Sequence, residues 1–166
     1  MKKFTFILLA LISGTAFAQS AAEAKGTADV FAEIVTPIQI DNGSALNFGS
    51  IVAAEGGNVR VNTEGTRSFS NNNMEVVSAA TVAAASFDVT AANNYSYNIN
   101  IPSIVLTGAG NDMPVSFTQA VGAETDGTAT GSGAAQTLKV GGLLTVASGQ
   151  TAGTYEGEVT VTVAYE

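Results

Sequence analysis

The 166-residue chain contains no cysteine, no histidine and no tryptophan, and only six basic residues stand against fourteen acidic ones. Each absence closes off chemistry. Without cysteine there are no disulfides, no iron–sulfur clusters and no thiol nucleophile. Without histidine, neither a Ser-His-Asp nor a Cys-His triad can be assembled, and zinc and haem sites built on His or Cys are unavailable. No glycine-rich phosphate loop follows a strand and opens a helix. A lysine base would have to be Lys25 or Lys139. The pattern puts the first in a small, polar tail and the second on the polar face of a strand, both solvated.

The carboxylates offer little more. Glu156 and Glu158 are two apart and share one strand face, within the roughly 5–9.5 Å that glycosidases use. Any exposed strand carrying two acids meets that test, and no aromatic sugar platform accompanies these. Asp41-Asn42-Gly43 and Asn111-Asp112 supply oxygen ligands in loops, but neither resembles a twelve-residue calcium loop with its closing glutamate. Turn formation explains both. The expectation is a protein without cofactor or metal, and not an enzyme.

The first eighteen residues read as a secretory signal. Lys2 and Lys3 precede a short apolar run from Phe4 to Ile12, and Ala16-Phe17-Ala18 supplies the small residues of a cleavage site. The run is shorter than the ~20 residues of a membrane span, and no other segment is long enough, so no membrane anchor is expected. Removing these eighteen leaves 148 residues, the size of one domain. Lys25, Arg60, Arg67 and Lys139 then face fourteen acids, a net charge of −10. Four scattered cations cannot neutralise a phosphate track, so nucleic acid is not an expected partner, and docking on anionic lipid is equally disfavoured.

What is abundant is short alternation punctuated by glycine, asparagine and serine, the pattern of an all-β protein. The clearest segment is Glu158–Glu166, where Val159, Val161, Val163 and Tyr165 share one face, as a half-buried core strand requires. Thr27–Ile34 aligns Ala28, Val30, Ala32 and Ile34, and Ile38 and Ile40 resume the ladder after Pro37. Leu46–Phe48, Val59–Asn62, Ala85–Thr90, Tyr95–Ile101, Val115–Gln119 and Leu138–Val146 complete the set, with a bulge or bend expected at Gly141-Gly142. Eight to ten short strands suffice for an antiparallel β-sandwich spanning 27–166, preceded by a flexible tail over 19–26. Val121–Ala135, rich in Gly, Thr and Ala, reads as an exposed, mobile loop. Alanine-rich Ser78–Ala85 is ambiguous between extended chain and a helical turn.

Two resemblances follow from these segments. Leu46-Asn47-Phe48-Gly49-Ser50-Ile51-Val52, Gly65-Thr66-Arg67, Ala85–Thr90, Tyr95–Ile99, Leu138–Val146 and Ala152-Gly153-Thr154-Tyr155-Glu156-Gly157 occur in this order. Together they resemble a bacterial secreted family described as a domain of unknown function, over Thr27 to Glu166. The two ends of the domain also resemble chaperone–usher pilins and spore-coat-U-type pilus proteins. Gly26-Thr27 leads into Phe31 and Glu33-Ile34-Val35, and Gly153-Thr154-Tyr155 runs into the Val-Thr-Val strand with penultimate Tyr165. That second resemblance implies an immunoglobulin-like sandwich lacking a strand, completed by the N-terminal extension of the next subunit, with a periplasmic chaperone and an usher as partners. The cysteine pair common among such pilins is missing. Gln19–Gly26 presents only Ala21, Ala22 and Ala24 as apolar groups, a weak donor, whereas Ala28, Val30, Ala32 and Ile34 would serve better.

Two functions are thus expected in competition. One is an exported structural subunit of a surface fibre or coat, associating with itself or with other fibre subunits. The other is a self-complete sandwich at the cell surface, binding a ligand through loops such as Val121–Ala135.

Overall fold

The computed structural model describes residues 23–41, 43–76 and 81–166; the expected signal segment, half of the 19–26 tail, Asn42 and part of the alanine-rich stretch lie outside them. The chain divides into two units, up to Glu33 and from Ile34 onward. In the first, residues 23–33 form no helix or strand and every side chain is exposed. The strand expected over Thr27–Ile34 is therefore not formed. Its alternation is intact, but no described sheet edge pairs with it, and alternation alone supplies no hydrogen-bond partner.

The second unit is an all-β antiparallel sandwich with no α-helix among the described residues. Its strands are β1 (Gln39–Asp41), β2 (Gly57–Val61), β3 (Arg67–Phe69), β4 (Ala85–Thr90), β5 (Ser96–Asn100) and β6 (Ile104–Gly108). They continue with β7 (Met113–Val121), β8 (Thr128–Thr130), β9 (Ala135–Val146), β10 (Tyr155–Glu156) and β11 (Thr162–Tyr165). The larger sheet runs β1-β4-β9-β7-β6-β10, with β2 also on β9 and β3 on β2; the smaller is β11-β5-β8.

The organising element is β9. One edge pairs with β4 over Ala135–Val140 and with β2 over Gly142–Val146, so these two strands lie end to end along it. The other edge pairs with β7 from Leu138 to Leu144 without interruption. Gly141-Gly142 accordingly makes no break in the strand, contrary to the bend expected from the glycine pair. The glycines sit where β4 hands over to β2, and a β-carbon at Gly141 would come within 2.5 Å of the Val61 carbonyl oxygen. Close approach, not curvature, requires them.

Leu138, Val140, Gly142, Leu144 and Val146 all point inward from β9, and they feed two clusters. In the first, Leu138, Val140, Val89 and Val121 meet Tyr97 and Ile99 of β5 and Ala129 of β8. Here two sheets face each other. The 121–135 stretch contributes to this core, since β8 lies inside it and Ala129 is buried; residues 122–126 and 132–135 are exposed as expected, but the stretch is not one continuous loop. In the second cluster, Leu144, Val146, Val59, Val61, Met113 and Val115 meet Phe48 and Met74.

The C-terminus pairs over a shorter span than its alternation. Val163 and Tyr165 lie in β11, while Val159 and Val161 precede it unpaired, and all four are half-buried. Tyr165 ends the strand with two hydrogen bonds: its hydroxyl donates to the Thr36 carbonyl at 2.8 Å and accepts from Ala92 N–H at 2.7 Å. Its ring meets Tyr95 edge-on at 5.9 Å. Tyr97 contrasts with it: fully buried, its hydroxyl has no hydrogen-bond partner among the described residues. Burial, with the charge of Glu124 as a smaller cause, pushes its phenol above the ordinary value of 10.0.

These two tyrosines predict opposite responses to the same substitution. Tyr165→Phe strands the Ala92 amide and should cost about 1–3 kcal/mol in denaturant unfolding. Tyr97→Phe removes an unsatisfied hydroxyl and should leave stability unchanged or raise it. A raised folded-state phenol pKa contributes stability that is complete below the unfolded value, about 10, and is lost as pH rises through the folded value. Unfolding measured across the alkaline range should therefore show the native chain losing stability more steeply than Tyr97→Phe.

Candidate docking cleft

The second cluster receives no side chain from β5, β8 or β11. Where the smaller sheet ends, the sandwich has a floor but no opposite layer. The result is a cleft of about 1230 Å³ floored by Ile104, Leu106, Met113, Val115, Phe117 and Leu144. Ile104, Leu106 and Phe117 remain only half-buried.

One wall is the segment from Gly43 to Ala53, the other the segment from Gln150 to Val159. The first wall is held by single contacts instead of a continuous ladder. Asn47 exchanges both backbone hydrogen bonds with Ala83, at 2.8 and 3.1 Å, and Val52 N–H donates to the Met74 carbonyl at 3.0 Å. Between these anchors the Asn47 side chain accepts from Gly49 N–H at 2.8 Å, a local turn that Gly49 completes with φ +72°. Leu46 and Phe48 are thereby aimed at the floor, where a β-carbon on Gly142 would come within 3 Å of both their side chains.

Arg67 reaches the same wall from β3. The Asn62 side chain accepts from Glu64 N–H and Thr66 N–H, and Gly65 adopts φ +79°, so the tight turn after β2 delivers Arg67 opposite Val61. Its Nη1 donates to the carbonyls of Phe48 at 2.9 Å and Ser50 at 3.0 Å, with the guanidinium 4.7 Å from the Phe69 ring centroid. The two separated motifs Leu46–Val52 and Gly65–Arg67 are one structural unit.

The second wall begins with Tyr155-Glu156 paired to β6. Tyr155 packs on the floor cluster and its hydroxyl donates to the Thr151 carbonyl at 2.8 Å. From Gly157 to Val161 the chain belongs to no strand and makes no backbone hydrogen bond among the described residues; the same holds for the amides of Leu46, Phe48 and Ile51. Backbone groups without partners among the described residues, three amides on one wall and the Gly157–Val161 segment on the other, thus flank an apolar floor. At one end the walls are tied, since Gly149 N–H donates to the Ala53 carbonyl at 2.7 Å and the Ser148 hydroxyl to that of Ala54 at 3.0 Å.

The sequence-derived candidates fall as follows. Val159 lines the cleft, while Val161, Val163 and Tyr165 pack against the first cluster. Ala28, Val30, Ala32 and Ile34 are exposed and in no strand. Glu156 and Glu158 are exposed on the cleft wall, and Lys139 forms an exposed ion pair with Glu64 at 3.0 Å. Asp41, Asn111 and Asp112 are exposed, and no group of three acids close enough to hold a metal ion occurs among the described residues. The cleft and Arg67 were not identified from sequence. The only trace of Arg67 there was a lone cation in a Gly-Thr-Arg segment.

The glycine pair tests this geometry. Gly141→Ala collides with a backbone carbonyl and should destabilise the fold by at least 1–3 kcal/mol. Gly142→Ala meets the ends of the Leu46 and Phe48 side chains, which can shift. It should cost less in equilibrium unfolding, while increasing hydrogen exchange in the 46–52 wall.

No curated protein and no solved structure matches the chain. Residues 38–165 match the model of the family described as domain of unknown function DUF4402, which takes in both cleft walls and the whole floor but not the exposed segment before Ile38. The chain belongs to the DUF4402 family.

Proposed function

We propose that this chain is an exported structural subunit of a surface fibre or coat, completed by a β-strand donated from a neighbouring copy. The observation that carries the reading is the pairing of a lack with a surplus. Among the described residues, the floor cluster has no opposite sheet and is flanked by backbone amides without partners at Leu46, Phe48 and Ile51 and by the unpaired Gly157–Val161 segment. The same chain carries an extended arm whose Val30, Phe31 and Ile34 are 91%, 89% and 97% exposed.

A strand laid in the cleft would gain backbone hydrogen bonds from its walls and bury alternate side chains on its floor, the physics of β-strand addition. The arm has the matching alternation. Ala28, Val30, Ala32 and Ile34 form its apolar face, and Asp29 and Glu33 sit on the other face beside Phe31. Burying Val30 and Ile34 contributes about 1.5–3 kcal/mol each, whereas the opposite face would bury two carboxylates. Seven residues span about 23 Å as a strand.

The arm is poorly placed to fill its own cleft. Folding back around residues 35–37 pairs positions symmetrically about the turn, setting Ile34 beside Ile38 and Ala28 near Ser44. The wall at 46–52 would then meet Ser20–Gly26, whose only apolar side chains are alanines. A second copy has no such constraint. Because arm and cleft are different surfaces, their contact is heterologous and extends into a chain.

This reading makes the protein a non-enzyme and agrees with the pilin resemblance, which adds export, a chaperone and an usher. The self-complete binding alternative draws less support. One of the loops it calls on, 121–135, carries β8 and buried Ala129.

The test uses the mature chain carrying Val30→Asp and Ile34→Asp, which spoils the arm and leaves the cleft. A synthetic Thr27–Val35 peptide should bind this variant saturably and raise its melting temperature, while the unmodified chain forms concentration-dependent oligomers that the variant does not. A monomeric unmodified chain together with absent peptide binding would overturn the reading.

A further inference from the structure

Resting on that reading, we infer that Arg67 is the positioning residue of the docking cleft, holding the Leu46–Val52 wall at the spacing an incoming strand needs. Among the described residues, the Leu46–Val52 wall is attached through its backbone at Asn47, to Ala83, and at Ile51 and Val52, to Glu75 and Met74. The three residues between them, Phe48 to Ser50, include Gly49 at positive φ, the least constrained residue type. Besides the packing of the Phe48 side chain into the second cluster, they are held by the Arg67 guanidinium, which binds the Phe48 and Ser50 carbonyls from a single nitrogen and so brackets Gly49. A β-carbon at Gly49 would lie 2.6 Å from that nitrogen, so the arginine approaches the backbone as closely as glycine allows.

The guanidinium is fixed in turn. It stacks over Phe69, and its own backbone is paired with Val61 in the β2–β3 ladder, which is joined to β9. A rigid, planar donor suits this task because it reaches two acceptors while lying flat on a ring. Lysine could reach one carbonyl but could not stack in the same manner. Arg67 does not line the cleft. It would act on an incoming strand only through the wall, by fixing where the Phe48 side chain and the amides of Phe48 and Ile51 are presented. An unfastened wall could collapse onto Ile104 and Leu106, or swing out of hydrogen-bond reach. Either outcome weakens docking without removing a contact to the docked strand.

Arg67→Lys tests this in the full mature chain carrying Val30→Asp and Ile34→Asp, with the Thr27–Val35 peptide as probe. Arg60→Lys on the exposed face of neighbouring β2 serves as the charge-matched control. The expected result has two parts: peptide affinity at least tenfold weaker in Arg67→Lys than in Arg60→Lys, and faster amide exchange confined to residues 46–52. Equal affinities in the two variants would overturn the inference. So would a loss of affinity accompanied by faster exchange throughout β2, β7 and β9, which marks general destabilisation. If the parent chain does not bind the peptide, strand donation itself fails, and that result is separate from equal affinities between variants of a chain that does bind.

Discussion

The fold depends on the inward row of a single twelve-residue strand. Leu138, Val140, Gly142, Leu144 and Val146 of β9 traverse both apolar clusters, so one strand demands cover along its whole length. The smaller sheet supplies that cover only over the first cluster. Beyond it, the opposite layer thins to a wall on each side, because β10 is two residues long and the chain from Gly157 to Val161 pairs with nothing described. The sandwich is thus closed at one end and open at the other.

An open apolar floor between unpaired edges is a liability for an isolated chain, since such edges invite pairing with any strand. It becomes an asset when the pairing strand is specified. The arm before Ile38 has the alternation, length and excess exposure of a strand without a sheet, and its acids sit on the face that would remain in solvent. Tyr165 holds Thr36 to the last strand, two residues beyond the exposed Ile34. Arg67 performs the corresponding task at the cleft, fastening a wall that is too irregular to be held by a ladder.

Much of the body was legible in sequence because alternation reports half-burial directly. Ala85–Thr90 emerged with its bounds unchanged, and Leu138–Val146 fell inside β9. The misses share a physical cause. Thr27–Ile34 alternates as well as any strand, but alternation describes what a segment could bury, not whether a partner edge exists. Gly141-Gly142 looked like a break because composition cannot tell a bend from a close approach. β8 escaped notice because its buried residue is an alanine in a stretch of small residues. The cleft itself was invisible because it arises from the unequal lengths of two sheets, which no local window records. Arg67 was hidden for a similar reason: its partners are backbone carbonyls nineteen and seventeen residues away, which leave no side-chain pattern.

The chain's lack of cysteine permits a direct test of strand donation between copies. One mature chain carries Val30→Cys and a second carries Leu106→Cys, and the two are mixed and treated with a short thiol-to-thiol crosslinker. Donation between copies predicts a mixed crosslinked dimer, and a chain bearing both cysteines should link into a ladder of multimers. Crosslinking within single chains bearing both cysteines, or no linkage between arm and floor at any concentration, would contradict it.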